Sequence, residues 1–205
     1  MNEKVLDIIE EKEKQKKSFK DFLVDIFDIV AFLVFVLWIV LIIRIFLFNP
    51  YTVVWDSMSP TFEENDFIIV DKFSSHFGEY KRWDVVVFLP PGKEVNYIKR
   101  IVWMPGEVVK IEDGDVYICD ENGSSCEQLE EDYLPEWETT PAPCDVKEFD
   151  VKEGHYLVFG DNRNQSTDAR CCFGLGCYGE SDYLLSDDDL LGKVSLRLFP
   201  DFTWH

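Results

Sequence analysis

A mostly β domain, built as an antiparallel, barrel-like sheet and tethered by one N-terminal transmembrane helix, is the fold class this sequence predicts. Three observations predict it. An apolar run near the N-terminus has the length of a bilayer, short runs rich in β-branched and aromatic residues follow between turn signals, and all six cysteines fall beyond the apolar run.

The membrane segment comes first in the chain. From Ile29 to Phe48 only Arg44 is charged, and at about 1.5 Å of rise per residue the run spans roughly the 30 Å hydrocarbon core. Arg44 lies near one end, where its long stem lets the charge reach the interface. A cleaved secretory signal fits less well, because its apolar core is about 7 to 15 residues long and ends at a small-residue cleavage site. This run is longer and leads into Phe48-Asn49-Pro50-Tyr51. Lys12, Lys14, Lys16, Lys17 and Lys20 precede it, and no Lys or Arg occurs between Ile45 and Asp71. Cytoplasmic flanks are the ones enriched in Lys and Arg. The expected division is therefore a cytoplasmic segment over 1–28, a single-pass helix over 29–48 in the inner or plasma membrane, and an extracytoplasmic β-rich domain over 49–205. Residues 1–20, with Glu and Lys at helical spacings, read as a solvated or interfacial helix.

Strands are expected at Tyr51–Trp55, Phe67–Lys72, Asp84–Leu89, Tyr97–Trp103, Glu107–Glu112, Asp115–Cys119, His155–Phe159 and Gly192–Phe199. Each is a run of the residue types that suit a pleated, half-buried surface. Pro90-Pro91-Gly92, Pro105-Gly106 and Asp113-Gly114 punctuate them, the last being a hairpin signal. About residues 120–150 the chain turns acidic and carries Pro135, Pro141 and Pro143. That stretch reads as a long insertion outside the sheet.

From Asn49 onward 13 basic residues face 32 acidic ones, a net −19. A surface so negative excludes nucleic acid as a partner. An even number of cysteines on the outer side favours disulfides. Zinc is the alternative, but no pair among Cys119, Cys126, Cys144, Cys171, Cys172 and Cys177 has C-x2-C spacing, and His76, His155 and His205 are scattered. Metal ligands and cofactors are expected to be none. The most local pairing is Cys119 with Cys126, around the turn Asp120-Glu121-Asn122-Gly123-Ser124-Ser125.

Two distant segments carry candidate chemistry. Asp56-Ser57-Met58-Ser59-Pro60-Thr61 supplies a serine, and Tyr97-Ile98-Lys99-Arg100-Ile101-Val102 a lysine. A hydroxyl becomes a useful nucleophile when a neighbour takes its proton, and a lysine does this only when burial keeps it neutral. On an extended strand Tyr97, Lys99 and Ile101 share one face, so a buried face would lower the Lys99 pKa. The other reading of Lys99 is a stem covering apolar surface with its head in water, and Ser57 alone could simply open a turn.

Together with Trp83-Asp84-Val85-Val86-Val87-Phe88, with Trp103-Met104-Pro105-Gly106-Glu107 after the lysine segment, and with Gly160-Asp161-Asn162-Arg163-Asn164-Gln165-Ser166-Thr167-Asp168-Ala169-Arg170, these segments stand in the order and spacing of the bacterial type I signal peptidases. The chain resembles that family from Val53 to Leu190-Leu191-Gly192-Lys193-Val194, insertions aside. The resemblance implies a membrane-anchored serine endopeptidase that removes signal peptides from exported preproteins after small residues of Ala-x-Ala type. It implies Ser57 as nucleophile, Lys99 as general base, Ser166 as a hydroxyl orienting the lysine, and Asp168 with Arg170 as a bracing ion pair. Val53, Met58, Phe62, Tyr97 and Ile98 match positions lining the substrate pockets, with Phe62 and Ile98 equally readable as core. Expected partners are signal-peptide-bearing preproteins and the lipid bilayer, which an apolar rim with Trp55 and Phe62 would touch. The chain departs from the family pattern at Trp55, where a second oxyanion donor can stand, at Trp103, where a small residue is usual, and at Ala169. A disulfide in the extra Cys171-Cys172-Phe173-Gly174-Leu175-Gly176-Cys177 stretch is expected to fix the bracing motif in place. The alternative from another class is an inactive, membrane-tethered β domain that binds exported proteins, for which Trp55 and Trp103 are the only sequence support.

Overall fold

The computed structural model describes residues 3–46, 48–73, 80–120, 123, 125–144, 146–175, 177, 183–200 and 203–204. Met1, Asn2, His76, Glu121, Asn122, Ser124, Gly176 and His205, which figure in the readings above, lie outside the described residues. The chain divides into two compact units, Met1–Ile45 and Phe46–His205.

The first unit is one uninterrupted helix, α1 (Glu3–Phe46). No break separates a segment ending at 28 from a span beginning at 29. No Gly or Pro, the residues that most weaken a helix interior, stands in the chain before Pro50. Lys20–Arg44 is long and apolar enough to cross a membrane, and none of its most apolar window is buried by protein. The helix stops at Phe46, and Phe48 already belongs to a strand rather than to the span. Pro50 explains the stop, since it disfavours helical backbone at the residue before it and has no N–H to give.

The second unit is mostly β. Strands form at all eight expected places, the first displaced to Phe48–Thr52 from the expected Tyr51–Trp55, as β1 (Phe48–Thr52), β2 (Phe67–Asp71), β3 (Val85–Phe88), β4 (Tyr97–Trp103), β5 (Val108–Glu112), β6 (Asp115–Cys119), β9 (His155–Phe159) and β11 (Leu190–Phe199). Short strands β7 (Cys126–Gln128), β8 (Glu148–Asp150), β10 (Leu185–Ser186) and β12 (Thr203–Trp204) complete the set among the described residues. The larger sheet runs β1-β2-β11-β3-β4-β9-β10, with β12 on β11, and the smaller runs β7-β6-β5-β8. Each of these pairings is antiparallel. The larger sheet is an open path, so the barrel-like expectation is met by a half-barrel.

Strand β3 shows how the core is laid out. Its four residues are all buried, and they alternate: Val85 and Val87 join Val53, Met58, Phe62, Ile68, Val70 and Val194 on one side, while Val86 and Phe88 join Ile101, Trp103, Leu157, Phe159 and Phe173 on the other. A strand buried on both faces reads as a continuous apolar run, as Val85-Val86-Val87-Phe88 does. Trp103 is fully buried and packs edge-on to Phe159, with ring centroids 4.6 Å apart. Gly192 sits where β11 shifts register against β3. Its φ is +150°, and a Cβ there would come within 2.3 Å of the Asp71 carbonyl oxygen.

The insertion about residues 120–150 corrects the sequence reading in part. Its two ends are strands of the smaller sheet, β7 pairing with β6 and β8 with β5. Its middle folds back onto the segment Gly160–Arg170 through Glu131, Tyr133, Thr140 and Pro141.

Candidate active site

Strand β4 lies between β3 and β9, and it carries Lys99 into the interior. The side chain is 3% exposed, and its Nζ is 2.6 Å from Ser57 Oγ and donates to the Ile98 carbonyl oxygen at 2.8 Å. The Tyr97 ring centroid is 5.6 Å from the same nitrogen. Burial pushes the Lys99 pKa down from 10.5 to about 8; the carboxylates of Asp168 and Asp161 oppose the shift, and the Arg170 guanidinium adds to it. Desolvation penalises the ammonium more than these carboxylates stabilise it.

Ser57 is presented by a short 3-10 turn, Asp56–Met58, between β1 and β2. Met58 anchors this turn by complete burial, and its carbonyl accepts the Phe62 N–H at 2.9 Å. The motif beginning at Gly160 holds the turn from the other side. Asn162 N–H donates to the Ser57 carbonyl at 3.2 Å, and its Nδ2 donates to the Asp56 carbonyl at 3.1 Å. Gly160 is required by closeness, since a Cβ there would stand 2.4 Å from the Ser57 carbonyl oxygen and 2.1 Å from Ser166 Oγ.

Asp168 and Arg170 form a buried two-point ion pair, Nε to Oδ1 at 2.9 Å and Nη2 to Oδ2 at 2.8 Å. The Gly160 N–H also donates to Asp168 Oδ2 at 2.9 Å. Burial pushes the Asp168 carboxyl up, but the Arg170 charge and these hydrogen bonds outweigh it and hold the group below the usual carboxylate range. Arg170 reaches on to the carbonyl oxygens of Pro141 and Arg163. Ser166 Oγ is buried beside Gly160 and helps Arg170 and Gly160 lower the Asp168 pKa, while no hydrogen bond joins it to Lys99 among the described residues.

Several residues of this network carry no role in the sequence reading. Arg100, the neighbour of Lys99 on β4, makes a two-point pair with Asp161 at 2.9 and 2.6 Å, and Thr61 Oγ1 donates to the same carboxylate at 2.5 Å. This pair ties the lysine strand, the serine turn and the Gly160 motif together. Buried Arg163 bonds Glu131, Thr140 and Tyr133, all from the insertion. Asp161, Asn162 and Arg163 were visible as motif residues. Glu131, Tyr133 and Thr140 lie in a stretch whose acidity and prolines suggest solvent, and no local signal marks them.

The serine and lysine open onto a cleft of about 490 Å³ lined by Tyr51–Ser57, Ile68, Val87, Asn96–Lys99, Gln165 and Thr167. Val53, Tyr97 and Ile98 are therefore among its walls. Met58 and Phe62 are not; both are fully buried in the core cluster behind the serine turn, because that turn needs an apolar anchor on its inner side. Phe62 is thus excluded from the apolar rim also. Trp55 is 59% exposed and lies edge-on to Tyr97 at 6.3 Å.

The cysteines pair as Cys119–Cys126, Cys144–Cys171 and Cys172–Cys177. The second joins the insertion to the residue after Arg170, and the third closes the extra loop. Among the described residues no group of His, Cys, Asp and Glu is placed to hold a metal ion.

A protein-family model described as signal peptidase, peptidase S26, matches residues 26–199. Signal peptidase I of Bacillus licheniformis is 38% identical over 139 residues, covering 65% of this chain and 72% of its own. Signal peptidase I T of Bacillus subtilis (strain 168) is 34% identical over 164 residues, covering 77% of each chain. A crystal structure of a signal peptidase I from Enterococcus faecalis V583 is similar over 56% of this chain and 96% of that one, with 27% identity and a TM-score of 0.38.

Proposed function

Because the chain belongs to the signal peptidase family, peptidase S26, and is a membrane-anchored serine peptidase of that family, we propose that Ser57 is its nucleophile and Lys99 its general base. The observation that carries this reading is the 2.6 Å approach of a buried amine, with its pKa pushed down to about 8, to a serine hydroxyl in a cleft wall.

The chemistry follows from that contact. Neutral Lys99 takes the Ser57 proton as Oγ attacks the scissile carbonyl. The ammonium then protonates the departing amine, leaving an acyl-enzyme. The lysine, neutral again, takes a proton from water, which attacks the ester and releases the signal peptide. The Ser57 backbone N–H is the first oxyanion donor in this reading. Ser166, Asp168 and Arg170 support the site without touching the reacting bond. In this reading the ion pair holds the Gly160 segment against the Ser57 carbonyl, and Ser166 matches the family's lysine-orienting hydroxyl.

Substrates in this reading are preproteins lying extended in the cleft beside Val53–Ser57 and Tyr97–Lys99 and adding backbone hydrogen bonds to its edge. The walls formed by Val53, Tyr97 and Ile98 leave room for small residues before the cut. The cytoplasmic side receives residues 1–28 with their lysines, and the domain from Asn49 works on the outer face. Purified protein in detergent, given a preprotein with an Ala-x-Ala site, tests the assignment against Ser57→Ala and Lys99→Met. Both variants are expected to lose cleavage by three orders of magnitude or so. Cleavage unaffected by either would remove the dyad.

A further inference from the structure

Beside the catalytic cleft lies a second depression of about 230 Å³, lined by Ser59, Pro60, Pro135, Trp137, Glu138, Asn162, Asn164 and Gln165. Gln165 belongs to the walls of both, so the two hollows share a rim. Ser59, two residues after Ser57, and Asn162, whose N–H bonds the Ser57 carbonyl, place the second hollow beside the turn that presents Ser57, and Tyr97 and Ile98 are not among its walls.

One wall comes from the insertion. Its segment 131–141 is clamped to the Gly160 motif at both ends, by Glu131, Tyr133 and Thr140 on Arg163 and by Pro141 on Arg170. Between them, Glu138 Oε1 accepts the Asn164 N–H at 3.2 Å and its Nδ2 at 2.9 Å. A loop pinned this firmly has every opportunity to bury its aromatic residue, yet Trp137 is 76% exposed, the most exposed large apolar side chain among the described residues of the β unit. Rigid backbone beneath a bare indole is the arrangement that binding surfaces use. Glu136 and Glu138 flank it, and the β unit as a whole is strongly acidic.

We propose that this second depression receives the residues that follow the cut, and that it favours Lys or Arg over Asp or Glu there. The proposal rests on the proteolytic reading above, which places the residues before the cut against Val53, Tyr97 and Ile98. A chain held there and passing Ser57 leaves over Gln165, and the next surface it meets is Trp137. A basic side chain can lay its stem on the indole and its charge near the glutamates. An acidic one meets like charge.

The test uses the full chain in detergent and preproteins identical through the Ala-x-Ala site, with Lys, Ala or Glu in the first three positions after it. A control set carries the same charges ten residues further on. Native protein is expected to cleave the Lys substrate about tenfold faster in kcat/KM than the Glu substrate, and to lose that ratio when the charges are moved downstream. Trp137→Ala should bring the ratio to about twofold, while Trp137→Phe keeps most of it. Equal rates for Lys and Glu, a ratio unchanged in Trp137→Ala, or a ratio that persists with distant charges would each overturn the proposal while leaving the dyad intact. Failure to cleave any substrate would overturn the proteolytic reading and this proposal with it.

Discussion

Lys99 holds its charge in a place that disfavours it, and two measurements read that conflict from opposite directions. In the proposed dyad the lysine acts as a neutral amine, so kcat/KM should climb about tenfold per pH unit below pH 8 and level off above it. A limb that instead continued to rise toward pH 10.5 would mean a lysine in contact with water. Stability moves with the same proton. Below pH 8 the lysine is charged in both folded and unfolded chains, and folding bears the full cost of burying it. Between pH 8 and 10.5 the unfolded chain binds the proton more tightly, so folded stability rises with pH. Lys99→Met removes the buried charge while keeping most of the volume. It should therefore melt higher than the native chain at pH 7, by roughly 3 kcal/mol in stability, with the gap closing as pH rises through that window. Loss of cleavage together with a gain in stability in this variant would be the signature of a residue kept for chemistry. Gly160 supplies a third check at this scale. Gly160→Ala must push either Ser166 or the Ser57 carbonyl aside. The expected result is a fall of about a hundredfold in kcat with a thermal transition that remains cooperative.

Elements explain why some of this was legible in the sequence and some was not. Strand β4 was placed to the residue, because Tyr97–Trp103 is a β-branched and aromatic run ending at Pro105-Gly106. The alternation that put Lys99 with Tyr97 and Ile101 named the lysine without showing that both faces of β4 are covered. The serine turn was harder. Strand β1 begins at Phe48 and ends at Thr52 rather than running to Trp55, because Asp56–Met58 is given over to the 3-10 turn. No periodicity reports a turn held by the distant Asn162. Met58 and Phe62, the latter equally readable as core, lie behind the turn, which the sequence hides for a related reason: family positions near a pocket do not reveal which side of the turn is core. The insertion was the least legible element, since its glutamates read as solvated until the buried Arg163 is seen to need them. Removing one partner of a buried, bonded ion pair costs about 3–5 kcal/mol. Arg163→Ala should thus lower the melting transition strongly, and Glu131→Gln less, because Tyr133 and Thr140 still accept hydrogen bonds from the guanidinium. Equal effects of the two would mean the loop does not seal the motif.

At the scale of the whole molecule, the proposed outer-face location of the β unit rests on two separate lines of argument. One is the lysine excess before the apolar span, a statement about insertion. The other is the pairing of all six cysteines, a statement about chemistry, since structural disulfides are favoured in oxidising compartments and rare in the reducing cytosol. The Cys144–Cys171 link adds a functional consequence, because it ties the insertion to the residue following Arg170 and so braces the segment that contacts the Ser57 carbonyl. Double replacement, Cys144→Ser with Cys171→Ser, is expected to slow cleavage several-fold and to lower the melting transition by about 2–4 kcal/mol, an effect that reductant should reproduce in the native chain. Location is then read with thiol reagents on cells stripped of their outer wall. With the proposed orientation, a membrane-impermeant maleimide should leave the native protein unshifted, and should shift it after treatment with an impermeant reductant. Labelling by a permeant maleimide alone, without prior reduction, would place free thiols in the cytosol and reverse the orientation. It would also remove the brace from the site, since the working enzyme would then lack the bond that ties the insertion to the Arg170 segment.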